Sequence, residues 1–246
     1  MPIFWSSALS EPARVAHLYA RTGVFDDAVL RALPGARLFG TDPSPDTVAS
    51  AASGAPPDSA RNYSVVASLP SPFDDGWFSH GVTIHPAGNI GDRARLLAEY
   101  RRILAPGGQI VLAVPLRGSF TELGDLLREY ALKHDAPDVE AAVTGAASLR
   151  PGTEGLALEL SRAGFEQVSV TTKTTSLAFS SGRALFEDSA MRLLVFPELE
   201  QNLGISLTKP LIYAQSAIDK YWSGSTPADA FELTIVAGCA AGYRRA

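Results

Sequence analysis

One acidic residue, Asp42, stands where a nucleotide-binding fold would place the group that holds ribose hydroxyls. The turn residues Thr22 and Gly23, about twenty residues before it, follow a short apolar run. A strand, a turn, a helix and a second strand that ends in an acid form the usual βαβ nucleotide-binding unit. The same carboxylate equally suits a turn or a helix cap in the segment DPSPD. The residues alone leave both interpretations of Asp42 open.

Histidine is the other residue type here that could do acid–base chemistry, and the chain has four. His85 ends a predicted strand and is the candidate for a catalytic base, although a structural role is commoner for a histidine without a visible partner. Neither the histidines nor the single cysteine, Cys239, have the spacing of a metal site. We therefore predict that the protein holds no metal and that Cys239 is a buried apolar residue of a late strand.

The composition is that of a soluble globular protein, with 246 residues, 46% apolar, 19% charged and a net charge of −5. A general nucleic-acid binder would carry a basic excess, so we predict that neither DNA nor RNA is a partner. No apolar run approaches the roughly 20 residues that a membrane-spanning helix needs. One cysteine cannot form an internal disulfide, which suits the reducing cytoplasm. We expect a cytoplasmic protein whose residues 1–246 form one domain.

The segments that must position these residues alternate between strand and helix over the first 115 residues. Strands are predicted at 15–19, 37–40, 62–67, 77–85 and 109–115, and helices at 24–33, 45–53 and 91–104. Such alternation predicts an α/β fold with a doubly wound, mostly parallel sheet. Ligands of that fold bind beyond the carboxyl ends of the strands. The loops at those ends contain residues 19–23, Asp42, Ser68 and 85–89.

The second half mixes helices with two predicted strands. Residues 165–179 alternate and are rich in valine and threonine, which favours a long strand, and residues 231–242 are predicted to pair with it as an antiparallel edge. Helices are predicted at 120–134, 138–144, 153–163, 182–188, 190–195 and 207–222. Residues 180–225 are interpreted as a helical insertion or a lid. Their apolar side chains would form core, a substrate lid, or a surface for a partner or a second copy.

Four stretches of the chain resemble, in order, motifs of the class I S-adenosylmethionine-dependent methyltransferases. They are LFGTDPSPDTVASA (38–51), ASLPSPFDDGWFSHGVTIH (67–85), LLAEYRRILAPGGQIVLAVP (96–115) and LRPGTEGLALELSRAGFEQVSV (149–170). The third is the most specific of the four. The resemblance covers residues 14–178 and 231–243. It implies the seven-stranded, Rossmann-like fold of the small-molecule methyltransferases, with an antiparallel last strand.

The resemblance also implies S-adenosylmethionine as the cofactor and four residues that would hold it, namely Gly23, Asp42, Ser68 and Leu69. Asp42 takes the place of the family acid that binds the ribose. Ser68 stands where the family usually has an acid or an amide for the adenine amino group, so it would be a weaker partner.

The first motif of the family departs from this pattern in the present chain. That motif has an acid followed by three glycines at alternate positions, whereas this chain has His17, then Tyr19 and Arg21, and only then Gly23. Glycine lets the backbone approach a ligand closely and adopt positive φ values. Tyr19 and Arg21 would instead project toward the carboxypropyl arm of the ligand, so we predict that they block the cofactor site.

Two hypotheses about function remain. In the first, the chain is a pseudo-methyltransferase that keeps the fold, has lost the cofactor and acts by binding a protein partner or a second copy of itself. In the second, it is an active methyltransferase with an unusual cofactor loop and a small-molecule or carrier-bound substrate. The loss of an acid and two glycines from one motif favours the first, whereas Asp42 and the intact later motifs support the second.

Overall fold

A computed structural model describes residues 12–55, 60–84, 90–203, 206–222 and 230–245. The strands are β1 (Arg14–Leu18), β2 (Arg37–Asp42), β3 (Arg61–Val65), β4 (Phe78–Ile84), β5 (Leu104–Pro115), β6 (Phe165–Phe179) and β7 (Phe231–Arg244). The helices are α1 (Asp26–Ala32), α2 (Pro45–Ser53), α3 (Ile90–Ile103), α4 (Thr121–Lys133), α5 (Pro137–Leu149), α6 (Thr153–Arg162), α7 (Gly182–Glu187), α8 (Phe196–Leu203) and α9 (Thr208–Tyr221). A π-helical turn, Met191–Val195, precedes α8.

The seven strands form one sheet in the order β3-β2-β1-β4-β5-β7-β6. The first five strands are parallel, and β7 runs antiparallel to both of its neighbours, β5 and β6. The predicted fold, a mostly parallel seven-stranded sheet with an antiparallel last strand, is therefore confirmed. The pairing of β7 with β6 is also confirmed, but β7 lies inside the sheet and β6 forms the edge. The strand order reverses between β1 and β4, which places the topological switch point at their carboxyl ends.

Alternate residues of β1 face two different apolar cores, because side chains along a strand point to opposite faces. Val15 packs in the core that contains Val29 of α1, and Leu18 packs in the core beneath α3. Helix α3 buries an apolar face at Leu96, Leu97, Tyr100 and Ile103. Each such side chain contributes about 1.5–3 kcal/mol on burial. The two helices thus fix β1, and with it the loop that follows, from both faces of the sheet.

Some boundaries differ from the prediction for identifiable physical reasons. Residues 105–108, between the predicted helix and the predicted strand, belong to an irregular start of β5, where the register with β4 shifts between Phe78 and His80. Helix α5 continues past Gly145, where nothing crowds the backbone, as far as Leu149. Helix α8 was not predicted; Pro197 lies in its first turn, where proline is tolerated.

The segment between β6 and β7 packs its helices against α4 and α5. Phe179 and Phe196 are buried in this core, and Phe186, Tyr213 and Trp222 are partly buried against it. The core interpretation therefore holds for these aromatic residues, while the proposal that residues 180–225 form an insertion or a lid remains a prediction. Tyr221, with 58% of its surface exposed, lies outside the core.

Two further expectations concern single features of the chain. Cys239 lies in β7 as predicted and is partly buried, and burial raises the pKa of its thiol. Within the described residues, no helix is long and apolar enough to cross a membrane.

Candidate functional site

The loops that follow β1, β2 and β3 meet at one edge of the sheet because these strands and β4 are parallel. This edge forms the crevice in which the sequence places a nucleotide. The loop after β4, which carries the candidate base His85, lies outside the described residues. The role of His85 remains a prediction.

The loop after β1 has left-handed backbone conformations at three alternate positions, although only one of them is glycine. The φ angles of Tyr19, Arg21 and Gly23 are 57°, 53° and 67°. A non-glycine residue in this region costs about 1–2 kcal/mol. The amide of Ala20 donates to the Thr41 carbonyl at 2.8 Å, so the strained loop is held against the end of β2.

Asp42, the predicted ribose-binding acid, is buried under this loop, with 1% of its side chain exposed. Its Oδ2 accepts a hydrogen bond from the Arg21 amide at 3.2 Å and lies 3.9 Å from Nη1 of the Arg21 guanidinium. Its Oδ1 accepts a hydrogen bond from the Ser44 amide at 3.1 Å. A carboxylate bonded to the amide two residues later forms an Asx turn, which is the local role that the sequence left open for Asp42.

A row of three hydrogen-bonded side chains joins β1, α1 and β3 behind the loop. His17 Nδ1 and Asp26 Oδ1 lie 2.6 Å apart, and the Tyr63 hydroxyl donates to Asp26 Oδ2 at 2.5 Å. His17 and Asp26 are only 2% and 0% exposed. Burial and the hydrogen bond to Asp26 raise the pKa of Tyr63. Asp26, in the first turn of α1, thus places a carboxylate beside His17, the position at which the family motif has an acid. The three hydrogen-bonded side chains hold the loop in place.

Two tyrosines fix the ends of the loop. The hydroxyl of Tyr100 in α3 accepts from the Leu18 amide at 2.9 Å and donates to the Val82 carbonyl at 2.5 Å, which joins β1 to β4. Burial raises the pKa of Tyr100, so this hydroxyl keeps its proton. Tyr63 packs against Gly23, where an added Cβ would lie 2.5 Å from the tyrosine hydroxyl oxygen. Gly23 is therefore required by its φ angle and by its packing.

The loop between β3 and β4 carries Ser68 and Leu69, and α3 anchors it a few residues later. Ser68 is exposed, and Leu69 packs partly against the core beneath α3. Glu99 Oε1 accepts hydrogen bonds from the Ser71 amide at 2.8 Å and from Nη2 of Arg102 at 2.7 Å. Burial alone would raise the pKa of Glu99, but hydrogen bonds from Arg102 and Ser71 outweigh it and hold the pKa below its usual value.

Tyr19 lies between the loop and the first turns of α3. Its side chain is half-buried and packs against the core beneath α3. Burial, followed by the nearby Asp92 carboxylate, raises the pKa of Tyr19, while Arg95 and Arg21 act in the opposite direction. The tyrosine thus fills space at the switch point.

The described residues do not fit S-adenosylmethionine in this arrangement. A ribose diol needs an accessible carboxylate, but Asp42 is buried and Arg21 lies over it. The carboxypropyl arm needs a backbone without side chains, but Tyr19 and Arg21 carry large ones at the positions of the glycines. Within the described residues, no group of three potential metal ligands is present either.

Exposed apolar residues border the closed loop. Val24 and Phe25, which lead from the loop into α1, are 71% and 46% exposed, and Val65 at the end of β3 is 49% exposed. Val65 lies two residues after Tyr63, so it is on the same face of the sheet as the tyrosine that contacts Gly23. These three exposed side chains, on the segments next to the loop, are called the apolar rim.

The structure brings Arg21 and Asp42 together and places Gly23 in the same loop, whereas Ser68 lies in the separate loop after β3. The assignment of Gly23, Asp42, Ser68 and Leu69 to a cofactor, and of Tyr19 and Arg21 to a block, remains a prediction. Sequence reasoning missed three residues that shape the site: Asp26, Tyr63 and Tyr100. A histidine at the place of an acid is the signal that could have prompted a search for a relocated carboxylate.

Comparison with known proteins supports the methyltransferase resemblance. The sequence profile of a methyltransferase domain matches residues 21–112, from the loop after β1 into β5. Curated protein sequences give no match.

Solved structures show the same fold at low sequence identity. The YcgJ protein from Bacillus subtilis aligns with a TM-score of 0.56 and 13% identity over 95% of this chain and 92% of its own. A SAM-dependent methyltransferase from Methanosarcina mazei aligns with the same score and identity over 96% and 94%. Phosphoethanolamine N-methyltransferase 2 from Haemonchus contortus, solved with phosphomonomethylethanolamine and S-adenosylhomocysteine, aligns at 0.54 and 16% over 95% of this chain and 49% of its own. The chain thus spans about half the length of that enzyme.

Proposed function

We propose that this chain, which has the class I S-adenosylmethionine-dependent methyltransferase fold, does not use that cofactor and acts by binding a partner. The observation that carries the proposal is the burial of Asp42 beneath its own loop, with hydrogen bonds to the Arg21 and Ser44 amides. A cytoplasmic location is part of the proposal.

The energy balance at Asp42 disfavours the cofactor. To admit a ribose, the protein would have to move the Arg21 guanidinium and give up a charge-assisted hydrogen bond from the loop, which is worth about 1.5–3 kcal/mol. A ribose hydroxyl would donate to the same charged carboxylate and return a similar amount, so the exchange at Asp42 gains nothing. The positive sulfonium would also meet the positive charge of Arg21. A deficit of about 1.4 kcal/mol already weakens binding tenfold.

The apolar rim favours a protein partner or a second copy of the chain. Val24, Phe25 and Val65 expose apolar surface beside the closed crevice, and exposed apolar patches are typical of interaction sites. A site that has lost its small ligand leaves its rim free for this use.

A second candidate function is an active methyltransferase on a small-molecule or carrier-bound substrate. It is supported by Gly23, which keeps a positive φ, and by the position of Asp42 at the end of β2. In this case Arg21, with 40% of its side chain exposed, would swing outward and uncover the acid.

Calorimetric titration with S-adenosylhomocysteine separates the two functions. The unmodified chain should show no saturable heat, and the double variant Tyr19→Gly, Arg21→Gly should gain binding because both side chains are gone. Adding Asp42→Asn to that variant is the matched control and should remove most of the gain. Saturable binding by the unmodified chain would instead support the active enzyme, and a double variant that folds without gaining affinity would refute the proposed block.

A further inference from the structure

The two edges of the sheet differ in how much unpaired strand they present. At one edge, β3 has 5 residues and begins at Arg61, which forms an ion pair with Asp27. At the other edge, β6 has 15 residues and, among the described residues, pairs with β7 alone. Natural proteins protect an edge by keeping it short or by placing charge, proline or a bulge on it, because its unpaired amides and carbonyls can pair with another strand. β3 has such protection, whereas most of β6 does not.

The unprotected part of β6 is the run 169–179, in which every residue pairs with β7 without a shift in register. The bulge of this strand lies before the run, where Gln167 has a φ of 52°. Residues 171–178 are all exposed, and Leu177 exposes 36% of its surface. The run contains no proline, and its only charged residue is Lys173. One side of this run therefore presents a row of backbone donors and acceptors to solvent.

The composition of the run suits a second copy of the same strand. Every residue of 171–176 except Lys173 is threonine or serine, and cross-strand pairs of these residues stabilise antiparallel sheets. With one lysine and no carboxylate, the run offers little charge that a strand of another protein could match. The edge is complementary to its own copy, because antiparallel pairing about a two-fold axis gives each outward amide an outward carbonyl.

The lysine restricts the register of such a pair. Residues that face each other in an antiparallel pair must both point their backbone groups toward the partner strand or both away, so the two-fold axis passes between two copies of one residue. The register that pairs the whole run 169–179 is centred on its midpoint, Thr174, and places Lys173 opposite Thr175 of the second copy. A register centred on Lys173 would set two lysines directly opposite each other, which is destabilising.

We infer that β6 pairs with β6 of a second copy of this chain, antiparallel and centred on Thr174, so that the two sheets join into one. The run supplies fewer residues than the roughly 20–30 a side of a standard interface, so the dimer should be weak, with a dissociation constant of about 10 μM. This inference does not depend on the function proposed for the loop after β1. It also does not involve the apolar rim, whose Val65 belongs to the opposite edge of the sheet.

Sedimentation velocity of the full chain at concentrations from about 1 to 300 μM tests the dimer. The unmodified chain should change from monomer to dimer across this range and form nothing larger. A chain that stays monomeric at the highest concentration, or that forms open-ended polymers, would overturn the inference.

Opposite charges placed at Thr175 locate the contact. In Thr175→Glu, each new carboxylate would face Lys173 of the other copy, so the dimer should tighten about fivefold. In Thr175→Lys, like charges would face each other, so the dimer should weaken about fivefold. Both effects should shrink as salt is added, because these side chains are exposed. Equal effects of the two variants, or no effect of either, would overturn the inference.

Ser64→Lys is the matched control, because it adds the same charge at an exposed position of β3, on the other edge. It should leave the dissociation constant within about twofold. If it weakened the dimer as much as Thr175→Lys, the two copies would meet elsewhere and the assignment would fail. Thermal unfolding checks that each variant folds, and the tighter dimer expected of Thr175→Glu cannot arise from a loss of folding.

Discussion

The loop after β1 and the segment after β5 end parallel strands at the same edge of the sheet, and both contain bulky residues with positive φ. In the first loop, Arg21 lies over the buried acid Asp42. In the second, Phe120 and the buried Arg150 leave a cavity open between helices. The same backbone strain thus accompanies a covered acid in one place and a small cavity in the other. The difference lies in the neighbouring side chains: in the first loop a buried carboxylate accepts hydrogen bonds from the loop itself, and in the second a small cavity remains between helices.

The largest effect is expected where the first loop is packed from behind. In Gly23→Ala, the new methyl group would carry the strain of a φ of 67° and also displace the Tyr63 hydroxyl from Asp26, at a cost of about 3 kcal/mol. Gly35→Ala is the matched control, because its φ is 80° but nothing lies within 4 Å, and it should cost about 1 kcal/mol. Urea unfolding measures both. Equal losses would mean that Tyr63 does not hold the loop.

Low pH should destabilise the protein partly by protonating two carboxyl groups, Glu99 and Glu122, which anchor the two regions. The pKa of Glu99 is lowered by Arg102 and Ser71 against the effect of burial, and that of Glu122, beside the segment after β5, is lowered by Thr234. A carboxyl group whose folded pKa is below its unfolded value stabilises the fold above the unfolded pKa, and this contribution disappears as the pH falls through the folded pKa.

In Glu99→Gln, the free energy of unfolding should therefore fall less steeply as the pH drops from neutral to the acid transition. The substitution should also cost about 2 kcal/mol of stability at neutral pH. Glu122→Gln is the comparison for the second region. This variant should change the pH dependence of stability less, because Glu122 accepts hydrogen bonds from a hydroxyl and an amide but not from a guanidinium. Measuring the free energy of unfolding of each variant across this pH range tests the prediction. A steeper dependence of that free energy on pH for either variant would contradict the lowered pKa values.

A smaller effect isolates the strain in the first loop. Arg21→Gly should be more stable than Arg21→Ala by about 1 kcal/mol, because both remove the side chain but only glycine relaxes at a φ of 53°. Thermal unfolding of the two variants is the measurement. If alanine were equally stable, the loop would adopt another backbone conformation in solution.

Much of the fold could be predicted from the sequence because it depends on local patterns. The alternation of strand and helix predicted the parallel half, and local signals such as Ser44, whose hydroxyl accepts a hydrogen bond from the Thr47 amide, cap its helices. The sequence does not predict that β7 lies between β5 and β6, because the alternating pattern of β7 is the same whether it pairs with one of these strands or with both.

The site was harder to predict because its decisive contacts join distant residues. The sequence showed that Tyr19 and Arg21 replace glycines, but not that the Arg21 amide bonds Asp42. Nothing local connects Asp26 with His17 and Tyr63, since each residue type is common in its own element. The cavity beside Arg150 depends in the same way on three helices that are far apart in the chain.

The most direct test of the proposed loss of cofactor binding is the affinity of the unmodified full chain for S-adenosylmethionine. A ligand present at 100 times its dissociation constant stabilises a folded protein by about 2.7 kcal/mol. We predict no such stabilisation and no saturable heat at millimolar cofactor, because Asp42 is covered by its own loop. Saturable binding at micromolar cofactor would contradict this account.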